Sequence, residues 1–148
     1  MSKKKVLFLC TGNSCRSQMA EGFVNHDLSK KWKAYSAGTR PSAYVHPMAI
    51  EAMAEMGIDI SHNKSKSTDE FRKKKLDLVI TVCDNAAEDC PVWLGNGQVV
   101  HISFPDPAEA TGTDEEKMEV FRSVRDDIRR RIVYYLANGV VLVPGFPG

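Results

Sequence analysis

The chain has 148 residues, of which 43% are hydrophobic and 26% are charged, and its formal net charge at pH 7 is +1. This length is typical of one globular domain with a sizeable core. A charge so near zero gives no electrostatic reason to expect a nucleic-acid or membrane partner.

The N-terminal region contains no apolar run long enough for a signal peptide or a membrane span, because the run that begins at Val6 ends by Cys10. We therefore expect a cytoplasmic protein. In that compartment the four cysteines should be reduced thiols with catalytic or redox roles. They lack the paired Cys-x-x-Cys spacing of a zinc site and the four histidines are scattered, so we expect no metal site.

Strand and helix patterns alternate along the chain. Apolar runs without polar alternation predict strands that are buried on both faces, as in a parallel sheet. Apolar residues at helical spacing predict the helices, and Thr113 is the expected N-cap of the last one. In chain order, the predicted elements are a strand at 6–10, a helix at 17–29, a strand at 33–37, helices at 47–56 and 69–75, strands at 76–83 and 98–103, and a helix at 113–136.

The alternation predicts a single-domain α/β fold, a three-layer sandwich in which a four-stranded parallel sheet of order 2-1-3-4 has helices on both faces. We place the domain at residues 1–138. Residues 139–148 are a C-terminal tail that either covers an apolar surface or mediates self-association. Ligands of such sheets bind beyond the carboxyl ends of the strands where the winding direction switches, here between the first and third strands.

Residues that are far apart in sequence should meet at this edge of the sheet. The first predicted strand ends at Cys10 and the third ends at Cys83, so the two thiols should lie on neighbouring strands about 5 Å apart. The fourth strand ends near Ser103 and leads into the segment that contains Asp106. We therefore expect two thiols and one carboxyl group in a single pocket.

The segment after the first strand has the form of an anion-binding loop. Small and polar residues connect the strand to a helix, so backbone N–H groups and the positive end of the helix should converge on one point. The loop and the Arg16 guanidinium would hold an oxyanion and stabilise a Cys10 thiolate as the nucleophile. The polar loop disfavours the alternative interpretation of Cys10 as a core cysteine. The predicted oxyanion-binding residues are Thr11, Gly12, Asn13, Ser14, Cys15 and Arg16.

Short segments of the chain carry specific motifs: LCTGNSCRSQMAEG at 9–22, YSAG at 35–38, GIDIS at 57–61, TVC at 81–83, CP at 90–91, DPA at 106–108 and GT at 112–113. Together they resemble the low-molecular-weight tyrosine phosphatase fold and, within it, the thioredoxin-coupled arsenate reductases. The resemblance covers residues 6–136. Three details favour the reductases: Gln18 stands where the phosphatases usually carry proline, Ala108 replaces an aromatic residue, and the pair Cys83 and Cys90 is additional.

The resemblance implies an enzyme that reduces arsenate to arsenite through a thiol relay recycled by thioredoxin. Cys10 would attack arsenic while Arg16 and the loop amides hold the oxygens, and Asp106 would be the general acid. Cys83 would then attack Cys10, and Cys90 would attack Cys83, leaving a Cys83–Cys90 redox disulfide for thioredoxin. The implied catalytic residues are Cys10, Arg16, Ser17, Cys83, Cys90 and Asp106.

Other residues of the loop have supporting roles in this interpretation. Ser17 would donate a hydrogen bond to the Cys10 thiolate. Asn13 is expected to bridge loop backbone groups, because asparagine tolerates left-handed conformations and hydrogen-bonds nearby main chain. For Cys15 we expect a small side chain packed under the loop rather than a second redox thiol.

The spacing of the shuttle cysteines predicts a conformational change. If the segment 84–90 is helical, Cys83 and Cys90 are about 10 Å apart along the helix axis. A disulfide needs Cα atoms within about 7 Å of each other. We predict that the segment unwinds on oxidation and moves Cys90 toward the surface, where thioredoxin can reach the disulfide.

A monovalent cation is the only bound cofactor that the resemblance raises. Some relatives are thought to bind one near residues that match Asn13, Glu21 and Ser36. This sequence reads Lys64-Ser65-Lys66 where a further acidic ligand is expected. A lysine ammonium is therefore the alternative occupant of that place.

Two other functions use the same residues. A phosphatase acting on phosphotyrosine or small phosphomonoesters would need Cys10, Arg16 and Asp106 without the shuttle, because phosphate release requires only a nucleophile, an acid and water. A non-enzymatic oxyanion-binding or redox-sensing module would bind or form a disulfide without turnover. The complete set of nucleophile, acid and shuttle cysteines favours the reductase, with weak phosphatase activity as an expected side reaction.

Overall fold

The computed structural model describes residues 2–84 and 92–144 of the chain. The strands are β1 at Lys4–Cys10, β2 at Trp32–Gly38, β3 at Leu78–Thr81 and β4 at Gln98–His101. The α-helices are α1 at Arg16–Asp27, α2 at Pro47–Ala54 and α3 at Asp114–Asn138. Two short 3₁₀ helices lie at Thr68–Phe71 and Pro107–Glu109. Within these ranges, none of the helices has the length and apolar character that a membrane span requires.

The four strands form one parallel sheet in the order β2-β1-β3-β4, which confirms the predicted topology. β1 pairs along its whole length with β2, from Lys4 opposite Trp32 to Cys10 opposite Gly38. On its other side β1 pairs with β3, where Leu9 lies opposite Thr81. The carboxyl ends of β1, β2 and β3 therefore meet at one edge of the sheet.

Side chains of β1 alternate between two hydrophobic clusters, one on each face of the sheet. Val6 and Phe8 belong to the larger cluster, to which α1, α2 and α3 all contribute buried side chains. Leu7 and Leu9 belong to a smaller cluster with Phe71 of the first 3₁₀ helix. Because these four side chains are completely buried, the middle of β1 is fixed in the centre of the domain.

The helix predicted at 69–75 is wrong in extent, because the structure has only the 3₁₀ turn Thr68–Phe71 there. Ser67 caps this turn with a complete capping box, so its start is well defined. A longer helix would contain the four consecutive basic residues 72–75. Only Phe71 and Leu76 could then form its apolar side, which is too little to pack a helix against the core. The strands β3 and β4 are also shorter than the predicted 76–83 and 98–103.

The long helix α3 begins and ends with strong local signals. Thr113 accepts a hydrogen bond from the Glu116 backbone N–H, which confirms Thr113 as the N-cap. At the other end Gly139 adopts the left-handed conformation, with φ of 74°, and ends the helix. Beyond it Arg130 donates a hydrogen bond to the carbonyl of Val143, so the described part of the tail lies back against α3.

Candidate active site

The loop between β1 and α1 surrounds a cavity of about 240 Å³ at the carboxyl edge of the sheet. Three charged residues line it, Arg16 with positive charge and Asp106 and Glu109 with negative charge. The lining residues are Cys10, Thr11, Gly12, Ser14, Cys15, Arg16, Asp106 and Glu109. All of these except Glu109 are predicted site residues, so the fold brings the predicted loop and the predicted acid together.

Cys10 is almost completely buried at the end of β1 and accepts a backbone hydrogen bond. The N–H of Asn13 donates to its Sγ over 3.3 Å, and the Ser17 Oγ lies 3.0 Å from the same sulfur. Because Asn13 Nδ2 donates to Ser17 Oγ over 2.8 Å, the Ser17 hydroxyl proton is directed toward Cys10. The sulfur therefore lies next to one backbone donor and one hydroxyl donor.

Asn13 adopts the left-handed conformation that the sequence predicts, with φ of 50°. Its side-chain Oδ1 accepts hydrogen bonds from the backbone N–H of Lys66, over 2.7 Å, and from Gln18 Nε2, over 3.0 Å. Two donors at Oδ1 fix the orientation of the amide, so Nδ2 must face Ser17. Asn13 thus couples the loop to the segment 63–66.

Gln18 has a structural role that sequence reasoning missed. Besides Asn13, its Nε2 donates to the carbonyl of Lys64 over 2.8 Å, and its Oε1 accepts from Asn63 Nδ2 over 3.1 Å. The side chain is completely buried. The only sequence signal was the position of Gln18 directly after Arg16-Ser17, which cannot by itself reveal partners 45 residues away.

Gly38 at the end of β2 allows the loop to pass close to the sheet. A Cβ atom at this position would lie 2.4 Å from the carbonyl oxygen of Thr11 and 2.9 Å from the backbone nitrogen of Asn13. Next to this contact, the Gly12 carbonyl accepts hydrogen bonds from Ser65 Oγ and from the backbone of Ser42. The loop is therefore held from outside by two stretches of the chain, 38–42 and 63–66.

Arg16 is the first residue of α1 and is nearly fully buried. Its NH1 donates to the carbonyl of Phe104 over 3.2 Å, and its NH2 lies 3.7 Å from Oδ2 of Asp106. Asp106 in turn caps the 3₁₀ helix Pro107–Glu109 by accepting a hydrogen bond from the Ala108 N–H over 3.0 Å. The Arg16 guanidinium and the Asp106 carboxyl are thus neighbours at the cavity, and each is held by a contact with the backbone.

Cys15 is a free thiol like Cys10, but its surroundings are different. Burial raises the pKa of the Cys15 thiol to about 12, and the charges on Asp106 and Cys10 act in the same direction. Near neutral pH the group is therefore protonated, and only a thiolate is an effective nucleophile. This environment agrees with the expectation of a packing role for Cys15.

Cys83 follows β3 at the same edge of the sheet and is completely buried. The ladder between β1 and β3 continues past Thr81, because Val82 N–H donates to the carbonyl of Leu9. Cys83 is therefore two residues beyond the position opposite Leu9, and it is disulfide-bonded. Cys90 and the predicted unwinding of its segment lie outside the described residues.

Lys66 contacts both Glu21 and Ser36, two of the residues expected near a monovalent cation. Its Nζ lies 3.7 Å from Glu21 Oε1 and 3.5 Å from Ser36 Oγ. Burial raises the pKa of Glu21, while Lys66 and Ser36 act to lower it. In the described part of the chain, no group of three or more His, Cys, Asp or Glu residues is arranged to hold a metal ion.

The chain is similar to known proteins in sequence and in fold. The family model for low molecular weight phosphotyrosine protein phosphatase matches residues 5–139. An arsenate reductase of Halalkalibacterium halodurans is 51% identical over 139 residues, covering 94% of this chain and 99% of the relative. Among solved structures, an arsenate reductase in the oxidized state has a TM-score of 0.74 at 36% identity, covering 90% of this chain and 97% of that one.

The phosphatases of the family have a similar fold as well. A low molecular weight protein tyrosine phosphatase from T. tengcongensis has a TM-score of 0.70 at 27% identity, covering 93% of this chain and 100% of that one. The family model spans nearly the whole chain, and the loop, Arg16 and Asp106 surround one cavity. The chain therefore belongs to the low molecular weight phosphotyrosine protein phosphatase family.

Proposed function

We propose that this protein is an arsenate reductase that uses Cys10, Cys83 and Cys90 in a thiol relay. The observation that carries the proposal is the position of Cys83, a second sulfur at the end of the strand next to the one that ends with Cys10. Phosphate release needs no such sulfur, whereas conversion of arsenate to arsenite requires two electrons from thiols. The relatives named arsenate reductases support the same assignment.

The first step is attack of the Cys10 thiolate on arsenic. Arsenate binds in the cavity, where the Arg16 guanidinium and the loop N–H groups hold its oxygens. A sulfur–arsenic bond forms and one arsenic–oxygen bond breaks, while Asp106 supplies the proton that the departing oxygen needs. The Ser17 hydroxyl stabilises the thiolate before attack. The product is a covalent adduct in which arsenic is still in the +5 state.

The second step reduces arsenic. The Cys83 thiolate attacks Sγ of Cys10, the electron pair of the sulfur–arsenic bond moves to arsenic, and arsenite leaves as a Cys10–Cys83 disulfide forms. Cys90 then attacks Sγ of Cys83 and releases Cys10 as a thiolate. Thioredoxin reduces the resulting Cys83–Cys90 disulfide, which returns two electrons to the enzyme. This cycle fits a cytoplasmic protein, because thiols stay reduced there.

Phosphatase activity is the second candidate function, because the family includes phosphatases and the cavity has the necessary groups. Phosphate and arsenate have the same shape and charge, so the same Cys10, Arg16 and Asp106 would act on both. We expect this activity to be a weak side reaction. Ala108 follows Asp106-Pro107, so no aromatic side chain is supplied there to flank a phosphotyrosine ring.

The deciding experiment is arsenate-dependent oxidation of NADPH in the presence of thioredoxin and thioredoxin reductase. We expect turnover by the parent protein and none by Cys83→Ser or Cys90→Ser. Hydrolysis of p-nitrophenyl phosphate by the two variants is the matched control, because the relay proposal predicts that it is retained. Phosphatase turnover without arsenate reduction by the parent protein would instead support the second candidate, and binding of arsenate without either turnover would support a non-enzymatic module.

A further inference from the structure

Two buried charged residues of α3 lie behind the segment that carries Asp106. NH1 of Arg131 donates to Oδ2 of Asp127 over 3.0 Å, one turn earlier in the helix, and both side chains are at most 6% exposed. The same NH1 donates to the carbonyl of Ser103 over 3.1 Å. The Arg131 guanidinium also stacks over the ring of Phe104, 4.4 Å from its centroid. The ion pair thus joins α3 to the chain just before Asp106.

Phe104 is held by three contacts, two of its backbone and one of its ring. Its backbone N–H donates to the carbonyl of Val82, at the end of β3, over 3.1 Å. Its carbonyl accepts from NH1 of Arg16 over 3.2 Å, and its ring lies under Arg131. Asp106 follows only two residues later, so the position of Phe104 determines where the Asp106 carboxyl faces the cavity, whereas Arg16 is fixed independently as the first residue of α1.

Stability alone does not account for the charges at these positions. Removing two charges from water costs free energy, and hydrophobic side chains of similar volume often replace a buried ion pair without loss of stability. In addition, Nε of Arg131 is buried without a hydrogen-bond partner. The planar guanidinium instead supplies direction, because it stacks on Phe104 and bonds the Ser103 carbonyl in one fixed orientation.

We propose that Arg131, oriented by Asp127, is a positioning residue that sets the general acid Asp106 for the chemical step. This inference rests on the proposed function for the identity of the reaction and for the role of Asp106 as the general acid. Arg131 does not line the cavity, so its loss should leave oxyanion binding intact and slow the proton transfer that Asp106 makes.

The test compares Arg131→Met in the parent and in an Asp106→Asn background. We expect Arg131→Met to lower kcat for arsenate about 10-fold, with the Kd of inorganic phosphate within about twofold of the parent. In the Asp106→Asn background the same substitution should change kcat less than about twofold, because the group it positions is absent. Arg131→Lys, which keeps the charge beside Asp127 but not the planar stack, should recover part of kcat.

Arg129→Met is the matched control. Arg129 also belongs to α3, stacks over the ring of Phe23 and pairs with Asp27, but it contacts no residue of the Asp106 segment. We expect its kcat to stay within about twofold of the parent. If Arg131→Met does not fold, the double variant Asp127→Leu/Arg131→Met gives the same measurement, because it removes both charges of this buried pair. Arg130, which also pairs with Asp127, is an exposed side chain.

Two results would overturn the inference: equal losses of kcat in the parent and Asp106→Asn backgrounds, or a loss of phosphate binding as large as the loss of kcat. Failure of the proposed function is seen separately, as absence of arsenate turnover in the parent protein itself. A readout without turnover is hydrogen exchange at the Phe104 amide. We expect it to be faster in Arg131→Met than in Arg129→Met, and equal rates would contradict the positioning role.

Discussion

Lys66 and Glu21 form an ion pair beside the anion-binding loop, with 3.7 Å between Nζ and Oε1. The backbone N–H of the same lysine donates to Asn13, so the pair is directly connected to the residue that orients Ser17. The ammonium also lies 3.5 Å from Ser36 Oγ. We propose that it takes the place in which the resemblance raised a monovalent cation and supplies the positive charge that such a cation would bring.

From this contact we predict that potassium has no effect on activity. Initial rates in potassium chloride and in choline chloride at equal ionic strength should agree within about twofold, because the Lys66 ammonium already neutralises Glu21. The variant Lys66→Ala leaves the carboxylate without this partner, so its activity should fall and should recover in part when potassium is added. A clear potassium dependence of the parent protein would contradict the prediction.

Glu21 should also affect the dependence of stability on pH. Burial raises the pKa of the Glu21 carboxyl above its value in the unfolded chain, although Lys66 and Ser36 oppose the shift. A group with a raised folded-state pKa contributes stability below the unfolded pKa of about 4.3, and this contribution is lost as pH rises through the folded pKa. The free energy of unfolding of the parent relative to Glu21→Gln should therefore decrease above pH 4. Urea unfolding from pH 4 to 8 measures this difference in the free energy of unfolding. A difference that increases with pH would contradict the prediction.

Ser17→Ala should make Cys10 a weaker nucleophile. The hydroxyl that faces Sγ at 3.0 Å is lost, and hydrogen bonds to charged groups contribute about 1.5–3 kcal/mol. We expect alkylation of Cys10 by iodoacetamide to slow about 10-fold at pH 7. Mass spectrometry separates labelling at Cys10 from labelling at Cys15. An alkylation profile identical to that of the parent would show that Asn13 alone holds the thiolate.

The sequence predicted those parts of the site that lie within one short segment or at the ends of paired strands. The loop from Cys10 to Arg16 and the approach of Asp106 follow from strand order, because parallel strands of a 2-1-3-4 sheet end at one edge. The contact of Gln18 with Lys64 could not be predicted, nor could that of Arg16 with Phe104. Both join a side chain to a carbonyl far away in sequence, and no periodicity records such a pair.

The helix predicted at 69–75 shows that local sequence signals do not determine the length of a helix. The chain does start a turn there, since Ser67 and Glu70 form a capping box. The predicted length was wrong, because helix length depends on an apolar face that packs against the core. Phe71 alone supplies that contact in the turn, while Leu76 joins the same cluster from the chain that leads into β3.

Gly38→Ala should disrupt the anion-binding loop, because the added Cβ would meet the Thr11 carbonyl oxygen at 2.4 Å. Both contacting groups are backbone, so the loop has to move, and such overpacking typically costs about 1–3 kcal/mol. We expect a lower melting temperature and at least 10-fold weaker binding of inorganic phosphate by calorimetry.

Gly22→Ala is the matched control, because it distinguishes a local displacement of the anion-binding loop from a general loss of stability. Its Cβ would also be crowded, by Cγ2 of Ile60 at 3.1 Å and most closely, at 2.9 Å, by the flexible end of Met53, and neither residue belongs to the loop. The Met53 side chain can rotate, and alanine favours the helical conformation over glycine by about 1 kcal/mol. Phosphate binding by Gly22→Ala should therefore match the parent. Equal losses of binding in the two variants would mean that the contact between Gly38 and the loop is not what holds the backbone N–H groups on the anion.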